Sequence, residues 1–501
     1  MSDQNDSGRL IIVSNRLPIV LSRQASGEWT VKPGSGGLVT ALAPVLRNRG
    51  GTWIGWPGST EIPQEEVSRL LEEATRDSGY TLKPVALSDE ELLNYYRGFS
   101  NQVIWPLFHD MQSHCDFRPD FWATYERVNE RFADVIQKNC SRGEFVWVHD
   151  YHLLNVGRHL RERNVPVKCG YFLHIPFPPP DVFLRLPWRF QILSNLLQYD
   201  LVGLQTMRDQ RNFVQCLRKL VDGVKVEGRG SRVQVHTGER KVRVGAFPIS
   251  IDFKEFTRTA ESAEVETRVD QLRQDQPGRT VVLGVDRLDY TKGILQRLEG
   301  YQSALEQFPD LRENIILIQI VVPSRWRIPK YSDLKTEIER KVGEINGRFT
   351  QSGWVPIHYI YRRVDRPDLV AHYRAADVAL VTPLKDGMNL IAKEYCASHP
   401  ENGGTLILSE FAGAVSQLQK GAFLVNPHDV EGIGRAIHQC YNLPTKERQD
   451  RMRLLRRNVR KYDVYWWVDA FLESAFAKRL EHFPVQDEYI PTHDIRHAPA
   501  T

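Results

Sequence analysis

The stretch Thr280-Val281-Val282-Leu283-Gly284-Val285-Asp286-Arg287-Leu288-Asp289-Tyr290-Thr291-Lys292-Gly293 decides the fold. Residues 280–285 form a short, valine-rich apolar run, the pattern of a buried strand. Residues 286–293 then turn polar and end on glycine, as a loop between a strand and a helix does. The same alternation extends in both directions. Further apolar runs at 10–14, 145–149, 168–173, 201–205, 242–247, 315–322, 357–361, 378–382 and 405–409 read as strands. Between them, 121–138, 207–220, 334–348 and 388–398 carry apolar residues at helical spacing. Strand-then-helix alternation predicts an α/β chain whose parallel sheets are covered by helices on both faces. The strands fall into two groups around the polar stretch 252–279, which predicts two doubly wound, Rossmann-like domains facing across a cleft. The expected division is 1–248, 249–461, a C-terminal helix 462–483 crossing back to the first domain, and a flexible tail 484–501. Such sheets bind ligands at the carboxyl ends of their strands, so residues just after each strand are the candidates for function.

Totals narrow the class. With 501 residues the chain is too long for one ordinary core. Its 66 basic and 62 acidic residues nearly cancel, leaving +4, so neither nucleic acid nor membrane is an expected partner. The six cysteines are scattered without a CxxC pair, which predicts reduced thiols and no metal site. A polar, acidic start without an apolar stretch predicts no signal peptide, and the cytoplasm is the expected compartment.

Absences narrow it further. No GxGxxG follows a predicted strand, and 223–228 is followed by Arg229 rather than the Lys-Ser/Thr of a P-loop. No GxSxG or HExxH occurs. Asp-x-Asp is missing throughout, which removes the usual carboxylate pair for a magnesium-bound nucleotide. Phosphate is therefore expected to meet basic side chains and backbone amides.

Three constellations supply them. Arg287 and Lys292, five apart on one loop, can converge on a pyrophosphate, the first as a planar fork and the second as a movable point charge. Thr382 to Glu394 holds Asp386, then Gly387, where backbone can approach a ligand, and amides from Met388 onward that would open a helix toward an anion. Asp386 and Glu394 lie about two helical turns apart, one suited to a sugar hydroxyl and the other to a ribose. Ser14-Asn15-Arg16 and the glycine loop 34–37 follow the first strand. Polar groups also end other strands, at His149-Asp150-Tyr151-His152, at His174 and at Ser324-Arg325, and the aromatic pairs Tyr95-Tyr96 and Trp105-Pro106 suit core or sugar stacking.

Together with Gly55-Trp56-Pro57-Gly58 and His174-Ile175-Pro176-Phe177-Pro178, these motifs resemble, in order and over nearly the whole chain, the trehalose-6-phosphate synthases of glycosyltransferase family 20. The resemblance implies a GT-B fold and a retaining transfer of glucose from UDP-glucose to glucose 6-phosphate, with no cofactor or metal beyond the nucleotide sugar. It implies that Arg287 and Lys292 grip the donor diphosphate and that Asp386 and His174 bind donor-glucose hydroxyls; these four are the catalytic candidates. Gly36, Gly37, Gly387, Met388, Asn389, Leu390, Ile391 and Glu394 complete the donor site, with Glu394 on the ribose. Arg16, Tyr96, Trp105, Asp150 and Arg325 form the acceptor site. Val364 stands where some members carry an aromatic residue near the base, so ADP- or GDP-glucose remain alternatives to the UDP donor. A homo-oligomer is compatible with the sequence. Alternatives to this activity are a related transferase with another acceptor (glucosylglycerol-phosphate synthase or a pseudo-glycosyltransferase) and a non-catalytic regulatory subunit. The latter should have lost donor residues, and Arg287, Lys292, Asp386 and Glu394 all stand.

Overall fold

The computed structural model describes residues 9–24, 27–34, 37–238, 240–324, 328–477, 480 and 483–491. The chain divides into two units: Met1–Asp252 with Val464–Gln486, and Phe253–Asp463 with Asp487–Thr501. Each is an α/β unit on its own sheet.

The first unit contains β1 (Leu10–Arg16), β2 (Ile19–Arg23), β3 (Trp29–Pro33), β4 (Gly51–Trp56), β5 (Thr81–Pro84), β6 (Phe145–His149), β7 (Lys168–Phe172), β8 (Leu201–Leu204), β9 (Lys225–Arg229), β10 (Arg232–Thr237) and β11 (Arg240–Ala246). Its main sheet runs β5-β4-β1-β6-β7-β8-β11-β10-β9, while β2 and β3 form a separate hairpin. Leu10 pairs in parallel with Gly51 on one side and Phe145 on the other. With both faces of β1 covered, residues 10–13 are all buried, which is why this strand reads as an unbroken apolar run. The last pairings, β11 to β10 and β10 to β9, are antiparallel.

The helix Val464–Phe476 packs in this unit. Phe471 stacks on Trp147 at 4.2 Å between ring centroids and 7° between planes. Gly170 and Gly203 make room for it: a Cβ on Gly203 would sit 2.6 Å from the Phe471 ring. Arg243 of β11 donates to the carbonyls of Ser474 and Ala475, capping the helix where its own amides no longer reach.

The second unit contains β12 (Thr280–Arg287), β13 (Ile315–Val322), β14 (Ile357–Tyr361), β15 (Val378–Val381), β16 (Thr405–Ser409) and β17 (Phe423–Val425), in the order β14-β13-β12-β15-β16-β17. Every pairing is parallel. In both sheets the chain starts centrally, adds strands on one side, then returns to the other side of its first strand. The switch points therefore fall between β1 and β6 and between β12 and β15. The mouths of such sheets open there.

Most expected bounds shift by a few residues, and two of the shifts bear on the site. β12 continues through Asp286 and Arg287, because Asp286 and Arg287 still pair with Val321 and Val322. The helix expected from residue 388 begins at Leu390.

The loops after β12 and β15 press backbone to backbone. Gly293 has φ +61°, and a Cβ there would lie 2.1 Å from the Thr382 carbonyl oxygen, while the Leu384 amide donates to the Thr291 carbonyl at 2.8 Å. Gly343, inside the helix Pro329–Phe349, has nothing within 4 Å of such a Cβ. Gly293→Ala is therefore expected to destabilise by at least about 2 kcal/mol. Gly343→Ala should stabilise by about 0.5–1 kcal/mol. Paired urea unfolding of the two variants checks the sign of each.

Candidate active site

At the first switch point β1 ends on Arg16. Ser14 and Asn15 hold the strand end: Trp53 Nε1 donates to Ser14 Oγ at 2.8 Å, and Tyr95 donates to Asn15 Oδ1 at 2.9 Å. The Arg16 side chain is exposed and has no hydrogen-bond or ion-pair partner among the described residues. Its guanidinium lies 4.8 Å from the Trp56 ring and 5.9 Å from the Tyr96 ring. Aromatic faces hold a cation without neutralising it.

Tyr96 sits on the helical segment Leu92–Ile104, whose turns are widened to i→i+5, as in the bond from the Trp105 amide to the Ser100 carbonyl. Wide turns of this kind are rare and concentrate at functional sites. Tyr96 stacks on His152 (5.7 Å, 11°), His152 meets Tyr151 at 3.9 Å, and Trp105, buried, meets Tyr151 at 5.6 Å. Tyr96, Trp105 and the strand end that carries Asp150 are thus one aromatic-lined wall.

Asp150 has φ +76°, an uncommon conformation for a non-glycine residue and one that collects at functional sites. Its Oδ1 accepts the His174 amide at 3.3 Å. The segment after β7 is pinned from the next element: the Phe177 amide donates to Asp209 Oδ1, whose other oxygen caps the helix Met207–Leu220 through Thr206. His174 Nε2 lies 3.1 Å from Nδ1 of His149, a buried residue that ends β6. Burial pushes the His174 pKa down to about 3, and burial followed by the neighbouring His174 holds His149 well below its ordinary value.

At the second switch point Arg287 ends β12, its side chain exposed and without a partner among the described residues. Lys292 is mostly buried, and its Nζ lies 2.5 Å from Asp386 Oδ2. A deeper pair supports this loop. Arg297 and Asp286 meet at 2.6 Å out of contact with solvent, and Arg297 also donates to Thr382 Oγ1 (3.2 Å) and Gln319 Oε1 (3.3 Å). The Asp386 loop is braced from behind, where the Gly413 amide donates to the Asp386 carbonyl and the Ala414 amide to the Met388 carbonyl.

The helix in this loop differs from the sequence expectation. Asn389, at φ +74°, is the cap: its side chain accepts the Ala392 amide, and its Nδ2 donates to Asp386 Oδ2 at 3.2 Å. Asp386, Gly387 and Met388 therefore precede the helix, and Asp386 meets Lys292 rather than lying on a helical face with Glu394. Leu390 and Ile391 occupy the first turn, half-buried. Glu394 accepts from the Tyr373 hydroxyl at 2.9 Å, and burial raises its pKa. Val364 lies between β14 and the helix Arg366–Ala375, and Gly37 opens the helix Gly37–Arg49. Gly36 and Arg325 lie outside the described residues. Among those described, no group of three or more His, Cys, Asp or Glu side chains is placed to hold a metal ion, and no helix is long and apolar enough to cross a membrane.

Sequence reasoning assigned no role to Trp56 under Arg16, to His149 behind His174, to Tyr373 on Glu394, or to Arg297. The Gly-Trp-Pro-Gly motif and the polar Asp286 and Gln319 inside apolar strands were the available signals.

Residues 8–477 match the family model of glycosyltransferase family 20. The chain belongs to glycosyltransferase family 20. Among its relatives, the trehalose-6-phosphate synthase of Mycobacterium sp. (strain JLS) is 44% identical over 471 residues, covering 93% of this chain and 95% of that protein. An alpha,alpha-trehalose-phosphate synthase (UDP-forming) from Burkholderia xenovorans, solved in complex with glucose-6-phosphate, is 34% identical with a TM-score of 0.83, covering 93% of this chain and all of that one. A structure from E. coli bound with UDP-2-fluoro glucose gives the same TM-score at 34% identity, covering 93% of this chain and 99% of that one. These likenesses bear out the two-domain GT-B fold expected for the family member.

Histidines with lowered pKa values make this family member less stable toward acid. A histidine whose folded pKa lies below its unfolded value of about 6.5 stabilises fully above that value. The contribution is lost as pH falls toward the folded pKa. For His174 this window runs from about 6.5 down to about 3, and His399, pushed down to about 4 by burial, acts in the same direction. Each such histidine adds a slope of up to about 1.4 kcal/mol per pH unit. His174→Gln should flatten the fall in urea midpoint between pH 7 and pH 5; an unchanged slope would show that His174 already protonates freely in the folded protein.

Proposed function

We propose that the protein is a retaining glucosyltransferase that moves glucose from a nucleoside diphosphate glucose, UDP-glucose in the first instance, to glucose 6-phosphate, giving α,α-trehalose 6-phosphate. One observation carries this reading. In each unit the first strand ends, at the switch point, on an exposed arginine with no acid partner: Arg16 and Arg287. Other arginines of these units are neutralised by a carboxylate, as Arg131 is by Glu91 and Arg273 by Asp377. A cation held free at a strand's carboxyl end suits an anionic ligand, and the reaction has two, a hexose phosphate and a leaving diphosphate.

In this reading Arg16 takes the acceptor phosphate, with Tyr96, Trp105 and Asp150 against the sugar. Arg287 and Lys292 take the diphosphate and stabilise its charge as the glycosidic bond breaks. Glu394 accepts from the ribose, and Asp386 and His174 meet donor-glucose hydroxyls. The acceptor attacks on the face that the diphosphate leaves, and a leaving phosphate oxygen takes the acceptor proton, so no side chain need form a glycosyl bond. No resident cofactor enters. The cytoplasm fits six unpaired cysteines.

The test is incubation of the purified protein with glucose 6-phosphate and each of UDP-, ADP- and GDP-glucose, following nucleoside diphosphate release and product identity. Trehalose 6-phosphate should form, and Arg287→Ala should lower kcat/KM by roughly 100-fold or more. Arg16→Ala should instead raise KM for glucose 6-phosphate by roughly 10- to 100-fold, the worth of one charged hydrogen-bonded contact. Folded protein that turns over none of the donors would point to another acceptor or to a regulatory subunit.

A further inference from the structure

His149 is read into no role by the motifs, yet its ring is the only side chain hydrogen-bonded to the His174 imidazole among the described residues. It ends β6, paired with Phe172 of β7, two residues before His174. Its ring is walled by Trp147 (4.7 Å), Phe172 (6.3 Å) and Trp467 (6.3 Å). Burial keeps both imidazoles neutral, so across the 3.1 Å contact one ring donates and the other accepts.

The surroundings decide which. His149 Nε2 is buried and has no hydrogen-bond partner among the described residues; the aromatic faces around it offer no lone pair. If His174 donated, His149 would carry its proton on that Nε2, stranding a buried N–H. If His149 donates from Nδ1, Nε2 is left as a bare acceptor, and a stranded donor is the rarer outcome in folded proteins. His174 Nδ1 has no hydrogen-bond partner among the described residues and is not buried, so it reaches solvent.

We propose that His149 is a positioning residue: by donating from Nδ1 to His174 Nε2, it fixes His174 in the tautomer that carries its proton on Nδ1 and so presents a hydrogen-bond donor to a sugar hydroxyl. The last clause rests on the proposed role of His174 in binding the donor sugar. The tautomer does not.

The experiment has two arms. In the first, protein labelled with 15N-histidine is examined at pH 7 by long-range 1H–15N correlation, with His174 assigned by its loss in His174→Gln. His174 should show a protonated Nδ1, and should shift toward the Nε2–H form in His149→Phe. A protonated Nε2 in the wild type, or no change in His149→Phe, overturns the proposal whether or not the protein makes trehalose 6-phosphate. In the second arm, His149→Asn and His149→Phe are compared in the transferase assay. An asparagine amide can replace the Nδ1–H donor, whereas phenylalanine keeps the bulk and loses the bond. His149→Phe should lower kcat by roughly 10- to 100-fold with KM for glucose 6-phosphate unchanged, and His149→Asn should restore most of it. If the residue served only to fill space, phenylalanine would be the better tolerated variant. Should His149→Phe fail to fold, the wild-type tautomer and the His149→Asn activity still decide the matter.

Discussion

An ammonium and a carboxylate 2.5 Å apart and largely withdrawn from water, Lys292 and Asp386, govern the second unit's switch point. Each would be costly alone: stripping a mostly buried charge of its partner costs about 3–5 kcal/mol. The pair therefore fixes the loop after β12 against the loop after β15, and the rest of the local structure follows. Gly293 must lack a side chain for the two backbones to close, and Gly413 must lack one because a Cβ there would meet the Gly387 carbonyl at 1.9 Å. Asn389 must turn to positive φ so that the helix carrying Glu394 starts after the Asp386 loop. Beneath it, Arg297 reaches Asp286, Gln319 and Thr382 through the space left by Gly284, where a Cβ would crowd Gln319 Oε1 at 2.5 Å. A polar core under the loop gives it one conformation.

The first unit solves the same problem with aromatic side chains. Arg16 rests beside Trp56 and Tyr96 rather than on an acid. Its charge stays available, whereas that of Lys292 is held by Asp386 until a competing anion arrives. On the proposed function this difference has a use. The acceptor phosphate meets a cation already free, while the diphosphate must exchange places with a carboxylate that then turns to the sugar.

Most of this architecture was legible because parallel strands covered on both faces are apolar at nearly every position. Ile315–Val322 and Thr405–Ser409, buried at nearly every position, matched their expected bounds for that reason, while the half-buried edge strand Ile357–Tyr361 matched on its isoleucine and tyrosine content. β4, with two glycines and two tryptophans, and the largely exposed β9 carry no such run and went unread. The residues of the candidate site were legible as motifs, but their partners were not. Nothing in sequence spacing joins Lys292 to Asp386, 94 residues on, or His149 to His174. The wide helical turns that carry Tyr96 have no local signature, and the Asp386 loop looked like a helix start because Asn389, three residues later, does the capping.

The central claim is that Lys292 trades its carboxylate for the donor diphosphate. Calorimetry of nucleoside diphosphate binding tests it most directly, using wild type, Lys292→Gln and Asp386→Asn, because this ligand has no glucose for Asp386 to hold. The account predicts that Lys292→Gln weakens binding by roughly tenfold or more, while Asp386→Asn binds as tightly as wild type or more tightly. Equal losses in the two variants would contradict it, and would mean that the ion pair only shapes the loop.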